Sequence, residues 1–209
     1  MPLGIEPDEV KRKLKFDYMR SRNDPGAKVL DGFVSLMSSS CKRETTILDF
    51  AHEVANHIHK QFRLRWVMIG LRSRSDGLYR YEIQAGMREE AWSSQKKKTY
   101  KLEDFGISPN YVKDDISKLS RVYLEEDNPL SGQDENVVNR PALLRLRRQT
   151  PDETLEADFL DTLIYGPGDD LLGWIEYSGT TLGKFPDSMT IRYIEVIAAI
   201  LAAAIASRK

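Results

Sequence analysis

The 209-residue chain reads as an α+β protein: an antiparallel sheet of five to six strands with N- and C-terminal helices packed on one face. Two hairpin-like patterns, at residues 64–85 and 159–178, lie on either side of a long irregular stretch. Helical periodicity gathers before residue 62 and after residue 186, with no strand–helix–strand alternation of the kind a parallel sheet needs. Composition is that of an ordinary globular protein, 41% hydrophobic and 30% charged.

Residues 1–43 form a helical extension in this reading, followed by one domain over 44–209. Pro7 suits a first helical turn, with Asp8 and Glu9 where the helix dipole favours acids. Val10, Leu14 and Tyr18 recur at every fourth residue, and Asn23-Asp24-Pro25-Gly26 breaks the pattern. A second helix is predicted over 27–37, ended by Ser38-Ser39-Ser40. A third spans 46–61, where Thr46 and Asp49 have capping-box spacing and Ile47, Phe50, Val54 and Ile58 make the apolar stripe.

The pattern then turns β-like. Residues 64–71 pair across Ser75-Asp76-Gly77 with 78–85, where Tyr79, Tyr81, Ile83 and Ala85 alternate with polar residues. A short polar helix follows at 88–98. Residues 99–157 are irregular, with one strand at 120–125, turns at Asp127-Asn128-Pro129 and Ser131-Gly132, and a basic run at Arg145, Arg147 and Arg148. An irregular stretch of this length within a compact domain is often functional. Strands at 159–165 and 171–178 flank Gly166-Pro167-Gly168-Asp169-Asp170. Pro186-Asp187-Ser188 starts a long helix whose Ile191, Ile194, Ala198, Leu201 and Ile205 repeat at alternating steps of three and four. That seam fits either a partner helix or the chain's own sheet.

The stretch LLGWIEYSGTTLGKFPDSMTIRYIEVIAAILAAAI, residues 171–205, resembles the end of a GAF domain: a "GWIE" strand, a loop to a Pro-Asp helix start, then a long amphipathic helix. The helix at 46–61 and the hairpin after it resemble the family's opening, so the likeness covers roughly 44–207. The resemblance implies a sheet with terminal helices on one face and a small-molecule pocket on the other. It also implies dimerisation through the terminal helices and control of an effector such as a histidine kinase.

Several specialised forms of the family are not indicated. Methionine sulfoxide reductases of this type use several cysteines, whereas Cys41 is the only one here and precedes the region where bilin-bearing members attach their chromophore. The Asn-Lys-x-Phe-Asp-Glu pattern of cyclic-nucleotide members is absent; Asn139-Arg140-Pro141 and Asp152-Glu153 only echo it. His52, His57 and His59 share one helix at spacings that miss the i, i+4 arrangement of metal ligands. No cofactor and no metal are expected.

The lone thiol and the lack of a signal-type apolar leader place the chain in the cytoplasm as an expectation. The run Val196–Ala206 is shorter than a bilayer span, and a net charge of −1 gives no global field toward nucleic acid or anionic lipid. The glycine clusters do not lead into helices as phosphate loops do. Site residues expected for a ligand are Trp66, Tyr81, Tyr123, Asp161, Tyr165 and Trp174, aromatics and one acid on the strands. Trp66 and Trp174 should share one sheet face, with Val67, Ile69, Ile175 and Tyr177 on the other; the pattern leaves open which face meets the helices. Two function classes stand beside a low-ranked enzyme reading that would use the sheet acids: a ligand-binding sensor, and a dimerisation module with no ligand.

Overall fold

The structure is a computed structural model and describes residues 6–21, 24–42, 44–106, 111–130 and 135–208. Residues 1–5, Asn23 of the expected break and the Ser131-Gly132 turn lie outside these. Five helices are present among the described residues: α1 (Pro7–Ser21), α2 (Pro25–Ser40), α3 (Ile47–Gln61), α4 (Glu89–Gln95) and α5 (Ser188–Ser207). Seven strands, β1 (Val67–Arg72), β2 (Tyr79–Ala85), β3 (Thr99–Tyr100), β4 (Asp114–Asp115), β5 (Ser120–Tyr123), β6 (Phe159–Tyr165) and β7 (Leu171–Tyr177), form one sheet. Their order is β3-β2-β1-β7-β6-β5-β4, and every pairing is antiparallel.

The count exceeds the expected five to six because β3 and β4 are two-residue edge strands inside the irregular stretch. Two residues are too few to show an alternation in sequence.

Local chemistry accounts for the helix ends. Thr46 and Asp49 form the expected capping box at α3. Asp187 caps α5, its Oδ1 accepting from the Thr190 backbone N–H at 2.7 Å. At α2, Asp24 is itself the cap and accepts from the N–H groups of Gly26 and Ala27. The serine run does not end that helix. Ser38 and Ser40 donate their hydroxyls to the carbonyls of Val34 and Met37, which lets them stay within the turn.

One face of the sheet carries Val67, Ile69, Ile164, Ile175 and Tyr177 against Phe50, Val54 and Ile58 of α3 and Ile194, Ala198 and Leu201 of α5. This settles the question of faces: the helices meet the Val67 side. Leu36 of α2 joins the same core, whereas α1 buries no residue. The α5 seam is therefore used inside the chain and is not a surface for a partner. α5 is long and apolar enough to cross a membrane by length and composition alone, but Ile194, Ile197 and Leu201 are fully buried on the sheet side.

A register slip between Ile69 and Gly70 interrupts the β1–β2 ladder. One extra residue reverses side-chain direction along a strand. Accordingly Ile83 and Ala85 join the helical core, while Tyr79 and Tyr81 join the opposite face. The four residues that alternate evenly in sequence are thus divided between two layers.

Leu201→Ala should lower the unfolding free energy by about 2–5 kcal/mol. Val196→Ala, on the exposed side of the same helix, should change it by less than about 0.5 kcal/mol. Urea denaturation of the two variants measures the difference.

Candidate functional site

On the face away from the helices, the strands present aromatic rings. Trp174 of β7 lies directly over Gly70 of β1, where a Cβ would come within 2.1 Å of the indole. Gly173 lets the two strands close, since a Cβ there would sit 2.2 Å from the Gly70 carbonyl oxygen. Any larger residue at position 70 would push the indole off the sheet. Around Trp174 stand Tyr81 at 4.9 Å, Phe105 at 5.0 Å and Tyr100 at 5.5 Å between ring centroids. Tyr123 stacks on Phe159 farther along, at 4.3 Å.

Two carboxylates are set into this apolar layer. Asp161 of β6 receives both arms of the Arg121 guanidinium, from Nε at 2.8 Å and from Nη2, and the Tyr123 hydroxyl at 3.1 Å. The remaining Arg121 nitrogen donates to the Phe105 carbonyl at 2.7 Å. Burial pushes the Asp161 carboxyl up, and the Arg121 fork draws it back down.

Glu176 of β7 has no such cation. Its Oε2 accepts from the Tyr81 hydroxyl at 2.6 Å and, at 3.4 Å, from the Trp174 indole N–H. Burial pushes its carboxyl up to about 7, opposed by the Tyr81 hydrogen bond and the Lys98 charge and reinforced by the charge of Asp161.

The irregular stretch covers this layer and is held down by an acid–base lattice. Asp158 accepts from the backbone N–H groups of Glu125 and Leu155, at 2.8 and 2.7 Å, and from Arg148. Glu125 accepts from the Arg145 and Ala157 N–H groups, and Glu156 pairs with Arg140. Arg148 bridges Asp158 and Glu126 and lies over the Phe185 ring, so its part of the basic run is structural.

Between sheet and cover is a cavity of about 310 Å³. Of the expected site residues, Trp66, Tyr81, Tyr123, Asp161 and Trp174 line it. Tyr165 does not: it sits at the last position of β6, 38% exposed and beyond the end of the cavity, next to a register slip whose extra residue, Leu172, lies in β7. Glu176, Gln95, Tyr100, Phe105, Lys113 and Arg121 also line the cavity and were not anticipated. Glu176 had a signal, since it lies two residues beyond Trp174 on one strand and so shares its face. Arg121 had the same signal, two residues before Tyr123 on one strand, whereas Gln95, Tyr100, Phe105 and Lys113 had none.

The histidines lie elsewhere, in α3, with His57 packed under Gly32 and His59 under Gly86. Cys41 is exposed at the end of α2. Among the described residues no group of His, Cys, Asp and Glu is arranged to hold a metal.

No protein-family model matches the sequence, and no curated protein matches it. The fold itself has solved counterparts. One is the GAF domain of a protein described as a sensor histidine kinase from Pseudomonas syringae pv. tomato, with TM-score 0.53 and 12% identity over 93% of each chain. Another is the GAF domain of an Acinetobacter phosphoenolpyruvate-protein phosphotransferase, with TM-score 0.51 and 13% identity over 85% of this chain and 92% of that one. A third is the GAF domain/HD domain protein from Geobacter sulfurreducens, with TM-score 0.54 and 10% identity over 82% and 96%. The fold is GAF-like, in agreement with the resemblance of residues 171–205.

Glu176 ties stability to pH. Its carboxyl titrates at about 7 in the folded chain against 4.5 when free, so between these values the native state keeps a proton that the unfolded chain has released. Its contribution is therefore most favourable below pH 4.5 and falls as pH rises to about 7. The loss is about 3 kcal/mol, at roughly 1.4 kcal/mol per pH unit. Urea midpoints of wild type and Glu176→Gln across this range should show the slope in the first and its loss in the second.

Proposed function

We propose that this chain is a sensory, regulatory domain and not an enzyme. A small molecule occupies the cavity between the aromatic sheet face and its cover, and the terminal helices pass the occupancy on to a second copy and to an effector such as a histidine kinase, in the cytoplasm. The observation that carries the reading is the cavity itself. It is apolar and aromatic, has a few inward polar groups, and lies on the face opposite the helical core, as ligand cavities commonly do.

Strand β7 supplies the physical route for a signal. Trp174 and Glu176 face the cavity while Ile175 and Tyr177, their neighbours in the chain, pack in the core with α5. A ligand that shifts β7 must therefore act on the packing of α5. The acids of the cavity are engaged in a manner that suits binding: Asp161 is held by Arg121 and Tyr123, and Glu176 by Tyr81 and Trp174.

The helical surface supports an output through the extension at 1–43. Leu30, Val34 and Met37 make an exposed apolar stripe on α2, and Leu14, Phe16, Tyr18 and Met19 are exposed on α1. This stripe, in place of the α5 seam, is the surface through which two copies would meet. It also supports the second reading, a dimerisation module whose cavity takes no ligand.

Native mass spectrometry of freshly purified full chain should detect a bound small molecule in wild type and none in Ala157→Trp, where an indole replaces a cavity-lining methyl. A ligand-free wild type that gains no thermal stability from any metabolite mixture would leave the dimerisation reading. Val34→Glu should remain folded by circular dichroism and halve the mass seen in light scattering; an unchanged mass would remove α2 from the interface.

A further inference from the structure

We propose that the cavity takes a small organic cation, a protonated amine or amidine on a flat apolar body, held by the Glu176 carboxylate and the Gln95 side-chain carbonyl within the aromatic box. The inference rests on the ligand-binding reading above and adds the chemical class of the ligand.

The first argument is the balance of donors and acceptors on the wall. The buried cation of the cavity is already engaged: Arg121 binds Asp161 and the Phe105 carbonyl. Lys113 donates its ammonium to the carbonyls of Phe105 and Gly106, at 3.0 and 2.7 Å. Lys98, half-buried on the wall, is the remaining cation, while the fully buried groups left open are acceptors. Gln95 is 8% exposed and lines the cavity. Its Nε2 donates to the Val137 carbonyl at 3.3 Å, which fixes the amide's orientation, and its Oε1 is buried with no partner. Glu176 uses only Oε2 in hydrogen bonds, and among the described residues no cation pairs with it.

A buried acceptor without a donor is costly, and a buried carboxylate without a cation more so. An anionic ligand would meet the Glu176 carboxylate while Arg121 is already engaged by Asp161. A cation with several N–H groups would satisfy both open acceptors and neutralise Glu176.

The aromatic layer supplies the second argument. Tyr81, Tyr100, Phe105 and Trp174 surround the carboxylate, each within van der Waals range of another ring of the set. Rings attract cations through their faces and stack on flat conjugated groups, and this attraction strengthens when water is excluded. The space, about 310 Å³, suits a molecule of one or two rings.

Proton competition follows from the same geometry. Glu176 faces Tyr81 from β2, Tyr100 from β3, Asp161 with Arg121 from β6 and β5, and Lys98 from the turn after α4. Lys98 is half-buried and its charge draws the Glu176 carboxyl down, with no salt bridge between the two among the described residues. Without a ligand the proton on Glu176 supplies neutrality; the ligand's positive charge replaces it.

Three isosteric probes test the class on the full chain, by calorimetry and by fluorescence of Trp66 and Trp174: benzamidine, benzamide and benzoate. At pH 8 benzamidine should bind about tenfold or more tighter than benzamide or benzoate. Glu176→Gln should abolish that preference while leaving benzamide binding unchanged. Gln95→Leu, with Glu176 intact, should weaken benzamidine by a smaller factor. With wild type alone, benzamidine affinity should rise about tenfold per pH unit below the Glu176 midpoint and level off above it. That readout stands even if Glu176→Gln fails to fold. Equal or better binding of benzamide or benzoate would overturn the cation class and leave the pocket reading intact. Binding of none of the three at millimolar concentration would overturn both.

Discussion

Strand β7 is buried along its entire length, on both faces, and that constraint orders the rest of the molecule. An antiparallel sheet can leave one face in water. Here the helices α2, α3 and α5 close one side and the cover, described over 96–106, 111–130 and 135–158, closes the other. A strand with two buried faces must find a partner for every side chain it carries. β7 does so with Ile175 and Tyr177 toward the helices and Trp174 toward the aromatic layer, over a neighbouring strand whose Gly70 leaves room for the indole. Glu176 is the exception. It is a buried carboxyl whose hydrogen bonds come from a tyrosine hydroxyl and an indole and not from a cation.

The cover explains itself by the same logic. A segment with little regular structure has few backbone hydrogen bonds of its own, so buried groups must be satisfied by side chains. Asp158, Glu125 and Glu156 do this by accepting backbone N–H groups from the segment and pairing with Arg148 and Arg140. The lattice fixes the roof without filling the space beneath it. The result is a cavity on whose wall Gln95 Oε1 is buried without a donor and Glu176 hydrogen-bonds through Oε2.

Much of this was legible in the sequence, for identifiable reasons. The α3 cap, the β6–β7 pair and the start of α5 depend on short-range chemistry, at Thr46 with Asp49, at Gly166 to Asp170 and at Asp187, and each lies where residue spacing placed it. The division of Trp174 from Ile175 follows from the two-residue repeat of a strand. What escaped is long-range. The slip beside Gly70 sends Tyr81 and Ile83 to opposite layers, although they stand in phase along the chain. A second slip, at Leu172 of β7, sends Leu171 and Leu172 to opposite layers, and Tyr165 beside it stands at the strand end, outside the cavity. Gln95 and Phe105 reach the cavity from a segment without periodicity, and only the folded cover brings them there. The α5 seam shows the reverse limit: its spacing marks a buried helix face but fits a partner helix and a home sheet equally well.

The Glu176 carboxyl is buried among rings, with the charge of the half-buried Lys98 acting on it and no salt bridge between the two among the described residues. Its state can be read directly from the side-chain carboxyl carbon by NMR titration of uniformly 13C-labelled protein, assigned by comparison with Glu176→Gln. A midpoint near 7 is the result the account predicts, moving down when a cation enters the cavity. A midpoint in the ordinary range near 4.5 would contradict it, because it would mean that water or an internal cation already satisfies the charge.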